Sequence, residues 1–188
     1  WRSPWKGLPE IVPLLRSVPE GKKVLEAARA KDPAFLSHIK MGEASFTEST
    51  FARTYSLLDG KEQIDLRHEV TLSKKLSLSD ALVDLAHELV HFTEKDMLDP
   101  YKPGFSLKEF VSRGIEGPGG ELEALEQECL VAWQMKQVYK TFPQHRLCSG
   151  YRTRGGFDRE KARLDYYALG SWFLKAPSKL LATMPETS

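Results

Sequence analysis

The chain has 188 residues, with 27 Lys and Arg against 26 Asp and Glu, 41% apolar residues and 28% charged ones. That length supports one domain with a real core, and the composition is that of an ordinary globular protein. The balanced charge gives no electrostatic case for nucleic acid or an anionic membrane, and no apolar run approaches the roughly 18 residues that a bilayer span needs.

The chain opens on Trp1 rather than Met, which fits a fragment or a processed form. Residues 1–19 carry four prolines and two tryptophans, so this segment is expected to wrap the surface, with Trp1 or Trp5 packed on the body. Residues 20–40 are predicted as one or two helices broken at Pro33, with Val24, Leu25, Ala28, Phe35, Leu36 and Ile39 as the apolar stripe. The period then changes. Residues 51–58 and 61–67 are strand candidates, and Asp59-Gly60 between them is a hairpin signal because Gly accepts positive φ. Ile64 and Leu66 alternate with Gln63, Asp65 and Arg67, the pattern of a strand with one buried face.

Residues 78–95 are predicted as a helix in which Leu78, Leu82, Leu85, Leu89 and Phe92 recur at spacings of three and four. Ser77 and Asp80 have the spacing of a capping box. Two prolines and a glycine make 99–105 a loop, and 107–115 a short helix broken by Gly117-Pro118-Gly119-Gly120. A long helix over 121–141 ends before Pro143, a last one covers 157–175, and the tail after Pro177 is a short helix or coil. Helices, a small antiparallel hairpin sheet and helices again make an α+β chain, mostly helical, with one domain over 1–188 and its core at about 51–135.

His87-Glu88-Leu89-Val90-His91 carries the chemistry. Two histidines four apart on a helix put both imidazoles on one face, one turn apart. Each can offer a nitrogen to one ion at about 2.0–2.1 Å. Glu88 points about 100° round the helix, where it need not ligate and is placed to take a proton from a metal-bound water. Without a metal, the same residues read as two half-buried histidines satisfied by carboxylates, in a helical interaction domain.

The order of hairpin, His-Glu-x-x-His helix, loop and acidic helix over 51–135 resembles the zincin metallopeptidases, and within them the gluzincins, whose third ligand is a Glu on a downstream helix. That resemblance implies one Zn²⁺ held by His87, His91 and a glutamate, with Glu88 catalytic, acting on a peptide or protein substrate. Glu121-Leu122-Glu123-Ala124-Leu125 is similar to the gluzincin ligand pattern with Glu121 as ligand; Glu123, Glu126 and Glu128 stay as alternatives. Leu125 departs from that pattern, since relatives often carry Asp or Asn there to support a zinc histidine, so another group must do this here. No third histidine follows at metzincin spacing, with Glu94 and Met97 in the diagnostic places.

The resemblance also implies a strand that pairs with extended substrate, for which 61–67 is the candidate, and an oxyanion donor, for which Tyr166, Tyr167, His145 and Arg152 are candidates. Packing beside Leu169, Trp172 and Phe173 is the plainer reading of the two tyrosines. His38 and His68 have no partner legible in the sequence. Cys129 and Cys148 either form a disulfide or leave a buried thiol at Cys129; a disulfide, with the missing start Met, leans toward export. The expected function is zinc-dependent peptide hydrolysis, the alternative a zincin-like binding module with weak or partner-dependent activity.

Overall fold

The computed structural model describes residues 1–56, 58, 60, 62–94 and 104–174, less the side chains of 51–53, 62–66, 94 and 169–174. Asp59, Lys61, most of the 99–105 loop, the tail after Pro177 and the side chains of Trp172 and Phe173 lie outside those bounds.

The chain begins with helix α1 (Leu8–Arg16), inside the proline-bearing segment expected to wrap the surface. Pro9 sits in the first turn, where its missing N–H costs nothing. Ile11, Val12 and Leu15 are buried. Both tryptophans pack as expected: Trp5 is buried and donates to Ser73 O at 2.8 Å, and Trp1 lies edge-on to Tyr139 and Phe142. Helix α2 (Pro19–Lys31) follows so closely that a Cβ on Gly21 would lie 2.0 Å from Leu15 O.

Helix α2 ends at Lys31, beside the break predicted at Pro33, and no second α-helix follows it to residue 40. Phe35–His38 is a single 3₁₀ turn, and Ile39–Gly42 is a strand, β1. Asp32 redirects the chain: its carboxylate accepts from Ala34 N at 2.8 Å, a local competitor of the helical bond. Strand β2 (Phe46–Tyr55) and strand β3 (Glu62–Ser73) form the expected hairpin, longer than predicted at both outer ends. Gly60 has φ +66° in the connection. The sheet is mixed, in order β1-β3-β2, because β1 pairs parallel with β3 from Ile39↔Val70 to Gly42↔Ser73.

Helix α3 (Leu78–Glu94) matches its predicted span. Ser77 accepts from Asp80 N at 3.3 Å and donates to the Asp80 carboxylate at 2.7 Å, so the cap forms while the carboxylate takes the hydroxyl rather than the backbone. α3 is the hub of the core. It packs on β3 and on α1, α2 and helix α5 (Glu121–Val138), and Leu82, Leu85 and Leu89 are fully buried. Truncating any of these to alanine would cost about 2–5 kcal/mol. Lys31 reaches from α2 to the last turn of α3, donating to Phe92 O at 2.6 Å and Thr93 O at 3.0 Å.

Helix α4 (Leu107–Phe110) ends in a π-helical turn over Val111–Ile115. After α5, Cys148 is bonded to Cys129. A short hairpin of β4 (Arg152–Thr153) and β5 (Gly156–Phe157), not anticipated from sequence, leads into helix α6 (Arg159–Leu174). Among the described residues, no helix is long and apolar enough to cross a membrane. The hydrophobic core draws residues from Trp5 to Ala162.

Candidate metal centre

The site forms where α3 crosses the start of α5. The helical repeat puts His87 and His91 on the face toward α5, with Nε2 atoms 3.2 Å apart. The turn that leads into α5 is tight: a Cβ on Gly120 would lie 2.6 Å from Ile115 O. Gly119, at φ +68°, turns its carbonyl to accept from His91 Nδ1 at 2.7 Å. That bond fixes the His91 tautomer and leaves its Nε2 lone pair facing the site.

The four glutamates of α5 have different partners. Glu121 brings Oε2 to 3.5 Å from His91 Nε2 and 3.7 Å from His87 Nε2. Glu123 accepts from Gly119 N at 2.8 Å. Glu126 pairs with Arg159 near the surface. Glu128 Oε2 accepts from His87 Nδ1 at 3.0 Å, and so does the task that Leu125 cannot do.

The two Nε2 atoms and Glu121 Oε2 therefore outline a triangle with sides of 3.2, 3.5 and 3.7 Å. Donors about 2.0–2.1 Å from a tetrahedral ion are about 3.3–3.4 Å apart, so the three residues fit one divalent cation, with a fourth position left open. His87, His91 and Glu121 could hold a metal ion. Burial disfavours a charged His87 ring, but the carboxylates of Glu121, Glu128 and Glu88 override it and push the ring up to about 10. Burial would raise Glu121, yet the same two histidines hold it far below the usual carboxylate range. Strong acidic surroundings of this kind attract a proton or a metal ion, and an ion needs the unprotonated rings.

Glu88 is buried, and its carboxylate accepts from the Thr47 hydroxyl at 2.6 Å. Thr47 lies on β2, whose outer edge is unpaired among the described residues; β3 has β2 on one side and β1 on the other only over Val70–Ser73, so 62–69 also keeps a side unpaired among them. The strand that touches the Glu88 carboxylate is β2. One turn before Glu88, Asp84 keeps Oδ2 buried without a hydrogen-bond partner. Its carboxyl is raised to about 6 by burial, opposed by Ser45 and aided by Glu88. Two histidines and four carboxyls, those of Asp84, Glu88, Glu121 and Glu128, thus share one corner of the fold, where burial and mutual charge shift the protonation of Asp84, His87 and Glu121.

The four oxyanion candidates separate as well. Tyr167 donates to Glu116 at 2.7 Å. His145 is engaged by Glu128 at 3.4 Å and by Cys148 at 3.1 Å. Arg152 lies over the Trp133 ring. Tyr166, half-buried on α6, feels the charge of Glu121, which together with burial pushes its hydroxyl up. The two remaining histidines have partners elsewhere: His38 pairs with Asp32 at 3.0 Å, and buried His68 meets Ser49 at 2.8 Å and Lys31 at 3.3 Å. Sequence reasoning missed the roles of Thr47, Asp84 and Gly119; the positive-φ glycine before an acidic helix was the one available signal.

Compared with protein-family models, curated proteins and solved structures, the chain matches none. The class of the site therefore rests on its own residues: two helical histidines and a carboxylate from a second helix, with an adjoining buried glutamate.

Proposed function

We propose that the protein is a zinc-dependent peptidase of gluzincin type. The observation that carries this reading is the convergence of His87 Nε2, His91 Nε2 and Glu121 Oε2 from two helices, with Glu88 buried one residue from the first ligand. Two imidazoles and one carboxylate are a catalytic rather than a structural zinc set, because they leave a coordination position open. Zinc bound there would supply Lewis acidity to a water and to a carbonyl oxygen.

The chain's own groups do the rest. Glu88, steadied by Thr47, takes the proton of the attacking water and delivers it to the leaving amine. Glu128 and Gly119 O hold the two rings in the tautomer that aims Nε2 inward. Tyr166 is the donor assigned to the developing oxyanion. The outer edge of β2 is where an extended peptide adds a strand, since its ladder groups are unpaired among the described residues.

The test is a purified chain analysed for metal and offered a mixed peptide library. One zinc per chain, cleavage stopped by a chelator and restored by zinc, and Glu88→Gln that keeps the metal but not turnover are the expected results. Zinc retained with no cleavage at all would favour a binding module, and a chain without zinc would end the proposal.

A further inference from the structure

A second donor cluster lies behind the first. Glu128, His145 and Cys148 each bring one ligand atom within 4.8 Å of the others. In the structure Cys148 is bonded to Cys129, the residue after Glu128 on α5. Both sulfurs are fully buried, and the side chains of Glu128 and His145 are 13% and 21% exposed. Breaking that one bond would free the Cys148 thiol beside an imidazole and a carboxylate, the three donors that already lie within 4.8 Å of one another. A thiolate, an imidazole and a carboxylate suit a thiophilic divalent ion.

We infer that Glu128, His145 and Cys148 form a latent metal site, closed by the disulfide to Cys129 and opened by its reduction. Balance is simple. A dithiol reductant delivers two electrons and two protons, cleaves the Sγ–Sγ bond and leaves as its own disulfide. Metal binding then displaces the Cys148 thiol proton. An oxidising compartment keeps the site shut and a reducing one opens it. A cavity of about 920 Å³ lies beside the cluster, lined by His145, Leu147, Ser149 and Tyr151.

Two observations make the cluster more than a disulfide with polar neighbours. The His145 ring already points Nδ1 at Cys148 Sγ, 3.1 Å away, and Nε2 toward Glu128 Oε1 at 3.4 Å, so it sits between the other two donors. Glu128 serves both places, with Oε2 on His87 and Oε1 facing His145. An ion in the latent site would lie one carboxylate away from the first centre.

Cobalt(II) tests this, because thiolate ligation gives an intense sulfur-to-cobalt band in the near ultraviolet, which a centre of two histidines and a glutamate cannot produce. The full chain is titrated in its oxidised form and after a phosphine reductant, which leaves as its oxide with oxygen from water. The expected result is one ion without the sulfur band when oxidised, and two ions with it when reduced. Cys129→Ala, which frees Cys148 without any reductant, should show the band too, and His145→Ala should lose the second ion in the reduced state. A reduced chain that takes up no extra ion, or takes one without the band, overturns the inference. So does a reduced chain whose far-ultraviolet circular dichroism shows unfolding, or a His145→Ala variant that keeps the second ion. None of these outcomes bears on the His87, His91 and Glu121 centre, which is read in the oxidised protein.

Discussion

Glu128 accepts a hydrogen bond from the His87 ring at 3.0 Å, seven residues and two helical turns beyond Glu121, which faces the other nitrogen of the same ring. One helix thus offers a carboxylate to each edge of one imidazole. The distal one fixes the tautomer, so that the Nε2 lone pair points into the site. Glu128→Ala should weaken zinc by about 10–100-fold, the usual loss for such a partner. Glu128→Gln keeps an acceptor for Nδ1–H and should lose less. Competition titration against a chromogenic chelator reads both; equal affinities for Ala and wild type would remove Glu128 from the site.

Thr47 links the hairpin to the chemistry, since its hydroxyl donates to the Glu88 carboxylate at 2.6 Å while also meeting Glu88 O at 3.0 Å. Glu88→Gln should lower kcat by about 10²–10⁴-fold with zinc retained, the range for losing a positioned proton acceptor. Thr47→Val should cut kcat more than it raises KM, because it disturbs the carboxylate and leaves the ligands alone. Peptide hydrolysis with metal content measured on the same samples separates the two effects. A Thr47→Val enzyme with unchanged kcat would show that the contact is packing only.

Parts of this site were legible before any fold was known, and the division has a physical basis. Helical period and the four-residue histidine spacing are local, so α3 and its ligand pair could be read from a stretch of seventeen residues. Glu121 was legible through its likeness to the gluzincin ligand pattern, with Glu128 among the alternatives. The hydrogen bond between Glu128 and His87 was not, since the two are 41 residues apart and the contact depends on how α3 crosses α5. β1 escaped for the same reason: four residues pair parallel with β3, and nothing within Ile39–Gly42 announces a neighbour supplied thirty residues later. α1 was hidden by Pro9 and Pro13, which read as breakers although the first occupies a first turn.

Protonation of the ion-free site has a definite sign. The His87 ring is lowered by burial but raised further by Glu121 and Glu128, to about 10, against about 6.5 in an unfolded chain. A folded value above the unfolded one stabilises fully below about pH 6.5, and that contribution fades as pH climbs through about 10. The depressed Glu121 describes the same contact from its other side. Chelator-treated protein should therefore melt lower at pH 9 than at pH 6, and His87→Gln should flatten that slope. Zinc requires the unprotonated ring, so its affinity should rise over the same interval. Thermal scans with chelator and with zinc across this range check both signs, and an ion-free Tm that climbs with pH would contradict the assignment.

Gly119 is held at φ +68° with its carbonyl on His91 Nδ1 at 2.7 Å, so one backbone conformation serves both the turn into α5 and the second ligand. A Cβ in the left-handed region costs roughly 1–2 kcal/mol, which Gly119→Ala would relieve by rotating the carbonyl away from the ring. The expected variant is folded, melts a few degrees lower, and binds zinc about 10-fold more weakly because His91 loses its anchor. Gly60→Ala is the control: it carries the same φ penalty, at +66°, in the hairpin connection, where an added Cβ would meet nothing within 4 Å. It should lose similar stability and no affinity. Paired melting curves and zinc titrations on the two variants test this, and equal loss of affinity in both would mean that strain, not the aim of His91, is what zinc binding senses.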